Sequence, residues 1–193
     1  MTITRRRALG AIAATTATAA ATALPLPALA ADAKAIDARV NLALGKLWDQ
    51  VPSARELSAS ARGMLVMPEV VKGGFIVGGA YGEGSLLIND PVEGYEKKGG
   101  YYSVAVGSLG LQIGFQTTSH VLFFMTDAAL AKFRAADGWE AGVDAEVTFP
   151  ESGLHAGADT TTAKKPVIGV VFAADGLLVG ASLAGAKYSP IVR

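Results

Sequence analysis

The stretch KGGFIVGGAYGEG, residues 72–84, decides how the chain is read, because it carries six glycines in thirteen positions. Such a run is either a loop that cradles a phosphate or a strand whose bare positions let another element pack close. A dinucleotide fingerprint needs G-x-G-x-x-G after a strand and opening a helix. Gly79, Gly82 and Gly84 have the reverse spacing, and SLLIND, a strand-like run, follows them. A phosphate loop of the G-x-x-x-x-G-K-[ST] type is approached only by GASLAGAK at Gly180–Lys187, where Ala186 stands in the lysine position. Read as a strand, the stretch sorts by alternation. Phe75, Val77, Gly79 and Tyr81 fall on one face, and Gly74, Ile76, Gly78, Ala80, Gly82 and Gly84 fall on the other. A bare face of this kind permits close approach of a neighbour, or tight coiling of the sheet. GSLGLQIG and GLLVGASLAG share the habit, which favours packing over phosphate binding.

Outward from that stretch, residues 63–193 are short apolar runs separated by turn residues. MLVMP, FIVGGAY, SLLIND, YYSVAVGSLGLQIGF, HVLFFM, VDAEVTF, PVIGVVF and LLVGASL all have strand character. Asn89-Asp90-Pro91, Glu93-Gly94, Gly99-Gly100, Ser152-Gly153 and Asp175-Gly176 mark turns, the last a good hairpin tip. One helix interrupts the series, TDAALAKFRAADG, with Thr126 or Asp127 as N-cap, Leu130 and Phe133 on one face and Gly138 as stop.

Before the strands, Ile36, Val40, Leu44, Leu47, Trp48 and Val51 make one apolar stripe at helical spacing, ended by Pro52. SARELSASARG adds a short second helix with Ser53 as N-cap and Gly63 closing it. The expected fold is α+β and mostly antiparallel β: a closed or nearly closed sheet or barrel with N-terminal amphipathic helices and one further short helix.

The first thirty residues have the form of an export signal. Arg5 and Arg6 with Leu9 resemble a twin-arginine motif, an uncharged Ala/Thr-rich run follows, and Ala28-Leu29-Ala30 makes a small-residue cleavage site before Ala31. Thr15, Thr16, Thr18, Thr22, Pro25 and Pro27 make the run a poor membrane span. The expected organisation is a removable signal over 1–30 and a single domain over 31–193, periplasmic or secreted. The chain has no cysteine, so disulfides and a cysteine-linked lipid anchor are excluded. Lys and Arg number 17 against 17 Asp and Glu; removal of Arg5, Arg6 and Arg7 leaves a net charge of −3, which speaks against nucleic acid.

Catalytic and metal chemistry find little to work with. His120 begins a strand and His155 sits in a Gly-rich segment, and no helical H-x-x-x-H pairs them. Ser119 beside His120 is not a dyad, because partners of that kind are set by geometry and not adjacency. Glu83, Asp144 and Glu146 are carboxylates that could face a cavity, although solvated strand acids are the commoner case. The expectation is no enzyme, no cofactor and no metal site.

ARGMLVMPEVVKGGFIVGGAYGEGSLL, GSLGLQIGFQTTSHVLFFMTDAALAKF, GVDAEVTF and DGLLVGASLAG occur in an order that resembles the SYLF domain family, from about Ile36 to the C-terminus. That family includes yeast actin-patch regulators and exported bacterial proteins. The resemblance implies a helical N-terminal part on a β-rich body and lipid binding through a basic amphipathic helix, with actin contact in fungal members. Here Lys34, Arg39 and Lys46 are balanced by Asp32, Asp37 and Asp49, so electrostatic attraction to anionic lipid is weak, and an exported chain would meet no actin.

The candidate lipid-binding residues are Lys34, Arg39, Lys46 and Trp48 on the first helix, with Lys72, Lys97 and Lys98 at strand and hairpin ends; Lys164 and Lys165 read as solvated hairpin charges. The first helix either meets the membrane interface through Trp48 or buries its stripe on the sheet, and burial is the commoner fate. The function expected is a non-catalytic periplasmic module binding phospholipid or a membrane surface; the alternative is a structural or protein-interaction component of the cell envelope.

Overall fold

The computed structural model describes residues 31–74, 77–90, 92, 94–96, 99–109, 114–148, 165–173, 176–178 and 183–193. Two helices come first, α1 (Ala33–Gln50) and α2 (Ser53–Ser60). The strands are β1 (Gly63–Gly74), β2 (Val77–Asp90), β3 (Gly94–Glu96), β4 (Tyr101–Leu109) and β5 (Gly114–Phe124). After α3 (Asp127–Ala135) come β6 (Trp139–Glu140), β7 (Val167–Ala173), β8 (Gly176–Leu177) and β9 (Ala186–Ile191).

All the strands pair antiparallel in one sheet of order β6-β9-β4-β2-β1-β5-β7-β8, with β3 added beside β2. The α+β, antiparallel expectation holds, but the sheet is an open half-barrel: among the described residues no pairing joins β6 to β8. The end strands are two residues each, too short to zip a seam. The run VDAEVTF, expected as a strand, contributes only isolated bridges at Ala145 and Thr148 among its described residues. FIVGGAY and SLLIND, read as separate runs, lie largely on one fourteen-residue strand, β2.

Both faces of the sheet are covered. Met64, Val66, Leu87, Val121, Phe123, Ile168, Val170 and Phe172 meet α1 and α2 on one face. Leu65, Leu86, Tyr102, Leu122 and Phe124 meet α3, Trp139 and Tyr188 on the other. Strands buried on both sides need continuous apolar sequence, which is why MLVM, VLFF and VIGVVF show no alternation. The α3 face is knit by aromatic rings: Phe133 lies 4.7 Å from Phe124, 4.8 Å from Tyr102 and 5.6 Å from Trp139, which lies 5.9 Å from Tyr188.

The glycine run finds its explanation here. Gly82 and Gly84 lie on the α3 face of β2, and a Cβ at either would strike the backbone of β1, at the carbonyls of Glu69 and Val66 respectively. On β1 the register slips between Val66 and Glu69 against β2, and between Met67 and Val70 against β5. Pro68 sits in that bulge, where a residue without an N–H is tolerated, and its carbonyl accepts the Ser119 hydroxyl at 2.6 Å. The bare positions of β2 make room for the bulge of β1.

The helix ends differ in detail from expectation. Asp32 caps α1 by accepting the Ala35 N–H at 2.7 Å, and Thr126 caps α3 by accepting that of Ala129 at 3.2 Å. Ser53 is not a cap: α2 begins on it, after Pro52, with no side-chain cap. Gly63 opens β1 and does not close α2, which ends at Ser60, and α3 ends at Ala135, three residues before Gly138.

Candidate functional site

The first helix is held down along its length. Ile36, Val40, Ala43 and Leu47 are buried against the sheet, with Leu44 and Trp48 partly so. Polar contacts add to this apolar seat. Arg39 Nη1 meets Glu69 Oε2 of β1 at 3.2 Å, the Tyr101 hydroxyl of β4 faces the Asp37 carboxylate, and on α2 the Ser58 carbonyl accepts the Tyr95 hydroxyl at 2.6 Å. Burial pushes the Tyr95 pKa up to about 12. It also raises that of Tyr101, to which the Asp37 carboxylate adds. The apolar stripe is therefore committed to the core, as the commoner fate predicts.

What α1 offers to solvent is its other side. Lys34 and Lys46 are exposed there, and Leu42, 69% exposed, stands between them in sequence. Ala35, Ala38 and Gly45 leave the surrounding surface low. Arg39 does not join this face, because its guanidinium is turned to Glu69 and its Nε donates to the Ala35 carbonyl at 3.3 Å. Trp48 is half-buried, with the Arg55 guanidinium 5.5 Å above its ring. Lys72 lies near the end of β1 between Ala80 and Gln116; alternation from Val70, which belongs to the α3-face core, puts it on the opposite face from α1. The structure leaves Lys34, Leu42 and Lys46 exposed along the solvent side of α1, turns Arg39 to Glu69, half-buries Trp48 and puts Lys72 on the other face of the sheet. Lys97, Lys98, Lys164 and His155, with the export residues Arg5, Arg6, Leu9, Ala28 and Ala30, lie outside the described residues.

Glu83 is the one carboxylate of the three that is buried, and it is fully engaged. Its Oε1 accepts from Arg193 Nη2 at 2.5 Å and from the Tyr81 hydroxyl at 2.8 Å. Burial alone would raise its pKa; the Arg193 guanidinium and the Tyr81 hydroxyl outweigh that and hold it below the ordinary carboxylate value. Asp144 serves a turn by accepting the Glu140 N–H at 2.7 Å, and Glu146 pairs with Lys165 at 3.4 Å.

Ser119 and His120 point to opposite faces of β5, as adjacent strand residues must. The serine hydroxyl goes to Pro68, while His120 is buried with its Nε2 3.0 Å from Thr118 Oγ1 and its Nδ1 without a partner among the described residues. Burial drives the His120 pKa down to about 4. Among the described residues no group of three or more His, Asp or Glu side chains could hold a metal ion, and no helix is long and apolar enough to cross a membrane.

Sequence reading missed Leu42, which falls off the apolar stripe and so reads as incidental. It also missed Arg193, whose partner is far away in sequence. No local signal marks either. Residues 105–191 match the family described as Ysc84: Las17-binding protein actin regulator. The matched part runs from within β4 to the end of β9 and leaves out α1, α2 and β1–β3. No curated protein matches the chain.

Proposed function

Through residues 105–191 the chain belongs to the Ysc84 (SYLF) family, and from that premise we propose that it is a non-catalytic module that binds phospholipid at a membrane surface of the cell envelope. The observation that carries the reading is the outward face of α1, where Leu42 stands exposed between Lys34 and Lys46. An exposed leucine flanked by two lysines is suited to a shallow interfacial contact. Asp32 and Asp49 nearly cancel those lysines, so the apolar contribution dominates. The export-type pattern at Arg5, Arg6, Leu9 and Ala28-Leu29-Ala30 supports a periplasmic or secreted location. Actin, which the family description names, would not be met there.

Co-sedimentation with vesicles of neutral and of anionic phospholipid tests the proposal. Binding to both is expected, with little loss between low and high salt. Absence of binding to either vesicle, with no lipid retained through purification, would refute it.

A second reading, a protein-interaction component of the envelope, draws on a different surface. Val71 and Tyr81 pair across β1 and β2 and are 45% and 52% exposed. Cross-linking in the native compartment that captures a stoichiometric protein and no lipid would favour it.

A further inference from the structure

Strands β4, β2, β1 and β5 run on past the rest of the sheet, and β5 forms one edge of that extension. β1 stays paired with β5 as far as Gly74 and Gly114, whereas β7 reaches β5 only up to Ser119 and Phe172 and then turns back, Ala173 pairing with Gly176 of β8. Among the described residues nothing pairs with the outer side of Gly114–Thr118. We propose that this edge pairs with the same edge of a second copy of the chain, antiparallel about a twofold axis at Gln116, so that two sheets join into one.

Bonds farther along the strands fix which backbone groups the edge presents. On β7 the Val167 and Val171 carbonyls and the Gly169 N–H are bonded on the side away from β5, to Thr148 and Leu178. Ile168, Val170 and Phe172 therefore turn to β5, where they lie opposite Phe123, Val121 and Ser119. The Met125 N–H, given to the Pro166 carbonyl, obeys the same alternation. Odd-numbered residues of β5 thus direct N–H and C=O away from β1, and at the free end these are Phe115 and Thr117. About an axis at Gln116, Thr117 lies opposite Phe115 of the partner subunit, and the two exchange both N–H···O=C bonds. The symmetry-related pair does the same.

The rest of the sheet is protected against such pairing and this stretch is not. Pro190 of β9 shares the outward register of Ala186 and Tyr188 and has no N–H to give. The outer side of β7 is taken by Thr148 and Leu178, and β6 and β8 are two residues each. Gly107–Leu109, the opposite edge of the extension, is shorter. Gly114–Thr118 has neither charge nor proline.

The stretch also suits its own copy. The amide of Gln116, which is exposed, both donates and accepts and so matches itself across the axis. The first charge inward is Lys72, opposite Gln116 on β1. Three strand spacings, about 14 Å, separate it from Lys72 of the partner subunit, beyond the screening length of about 8 Å in physiological salt. Because the axis passes through the sheet from face to face, both α1 helices stand on the same side of the joined sheet. Two copies of the Lys34, Leu42 and Lys46 face are then presented together, which adds avidity to a contact made there.

The chain has no cysteine, so a single introduced thiol reports the register. Opposite residues of a non-hydrogen-bonded antiparallel pair have Cα atoms about 4.5 Å apart, within disulfide reach. Gln116→Cys is expected to give a covalent dimer under mild air oxidation. Thr118→Cys, whose copy would lie about 14 Å away, should stay monomeric. Any result other than preferential linkage at position 116 overturns the proposal, and so does linkage from that position to a different protein in the native compartment. Sedimentation velocity from about 10 to 500 µM, a range suited to a small interface, should show mass rising towards a dimer for the unsubstituted chain and for Thr117→Val. Thr117→Pro removes an N–H that β1 does not use, so it should keep its circular dichroism and associate at least about ten-fold more weakly. A monomer at every concentration, or undiminished association of Thr117→Pro, also overturns it. If Thr117→Pro does not fold, the two cysteine variants decide. No lipid is present in either experiment, so the membrane reading stands or falls separately.

Discussion

Gly84 faces the carbonyl of Val66 across β1 and β2 so closely that a Cβ on Gly84 would overlap that oxygen. Strand backbone cannot step aside as a flexible side chain can. Gly84→Ala is therefore expected to lower stability by about 3 kcal/mol or more, above the usual cost of an added methyl group in a packed region. Gly107 on β4 is the matched control, since it has nothing within 4 Å of where a Cβ would stand. Gly107→Ala should change stability by no more than about 0.5 kcal/mol. Urea unfolding of the two variants checks the contrast, and similar losses in both would show that the glycines do not serve the bulge.

His120 makes stability depend on pH with a definite sign. Its pKa is near 4 in the folded chain against 6.5 for the free side chain, so the unfolded chain takes up the proton first as pH falls. The stability tied to the neutral ring is complete above pH 6.5 and drains away between 6.5 and 4. By pH 4.5 the loss from this residue alone should be about 2 to 3 kcal/mol. Other groups titrate in the same window, so the measurement is a comparison. His120→Gln, which can keep a bond to Thr118, should flatten the profile by that amount. A profile with unchanged slope would mean that the imidazole is solvated in the folded chain.

Leu42 separates the two roles of α1. Leu42→Asp removes an exposed apolar side chain and should leave stability within about 0.5 kcal/mol of the parent. Val40→Asp, on the buried side, should cost several kcal/mol by burying an unpaired charge. Vesicle binding is the discriminating measurement: Leu42→Asp is expected to reduce partitioning several-fold while its circular dichroism is unchanged. Undiminished binding would move the lipid contact away from this face.

Much of this architecture is legible in the sequence because its signals are local. The spacing of Ile36, Val40 and Leu47 announces a one-sided helix, and Thr126 announces the start of α3. The reversed spacing at Gly79, Gly82 and Gly84 is enough by itself to remove the phosphate reading. Long-range pairing leaves no such local mark. Nothing near Glu83 in the chain points to Arg193, and nothing near Asp37 points to Tyr101. Closure of the sheet does not follow from glycine-faced strands, which permit tight coiling without requiring it; their space is used here by the bulge at Pro68. Charge singles out the candidate lipid residues other than Trp48, whereas geometry spends Arg39 on Glu69 and puts Lys72 on the far face.

Tyr188 offers the last test. It is fully buried between Val104 and Trp139 in the ladder of β9, yet among the described residues its hydroxyl has no hydrogen-bond partner. Burial alone drives its pKa upward, as expected for a phenol sealed among aromatic rings. A buried hydroxyl without a partner costs about 1–3 kcal/mol relative to one left in water. The ring itself contributes packing against Trp139 that phenylalanine retains. Tyr188→Phe is therefore expected to leave stability unchanged or to raise it by up to about 1 kcal/mol, with a small rise in melting temperature. Tyr188→Ala, which empties the site, should cost roughly 3–5 kcal/mol, in line with aromatic truncation in cores. The phenylalanine variant carries the argument: a loss beyond about 1 kcal/mol would mean that the hydroxyl bonds a group or an ordered water inside the half-barrel, and the core on the α3 face would then have a polar centre.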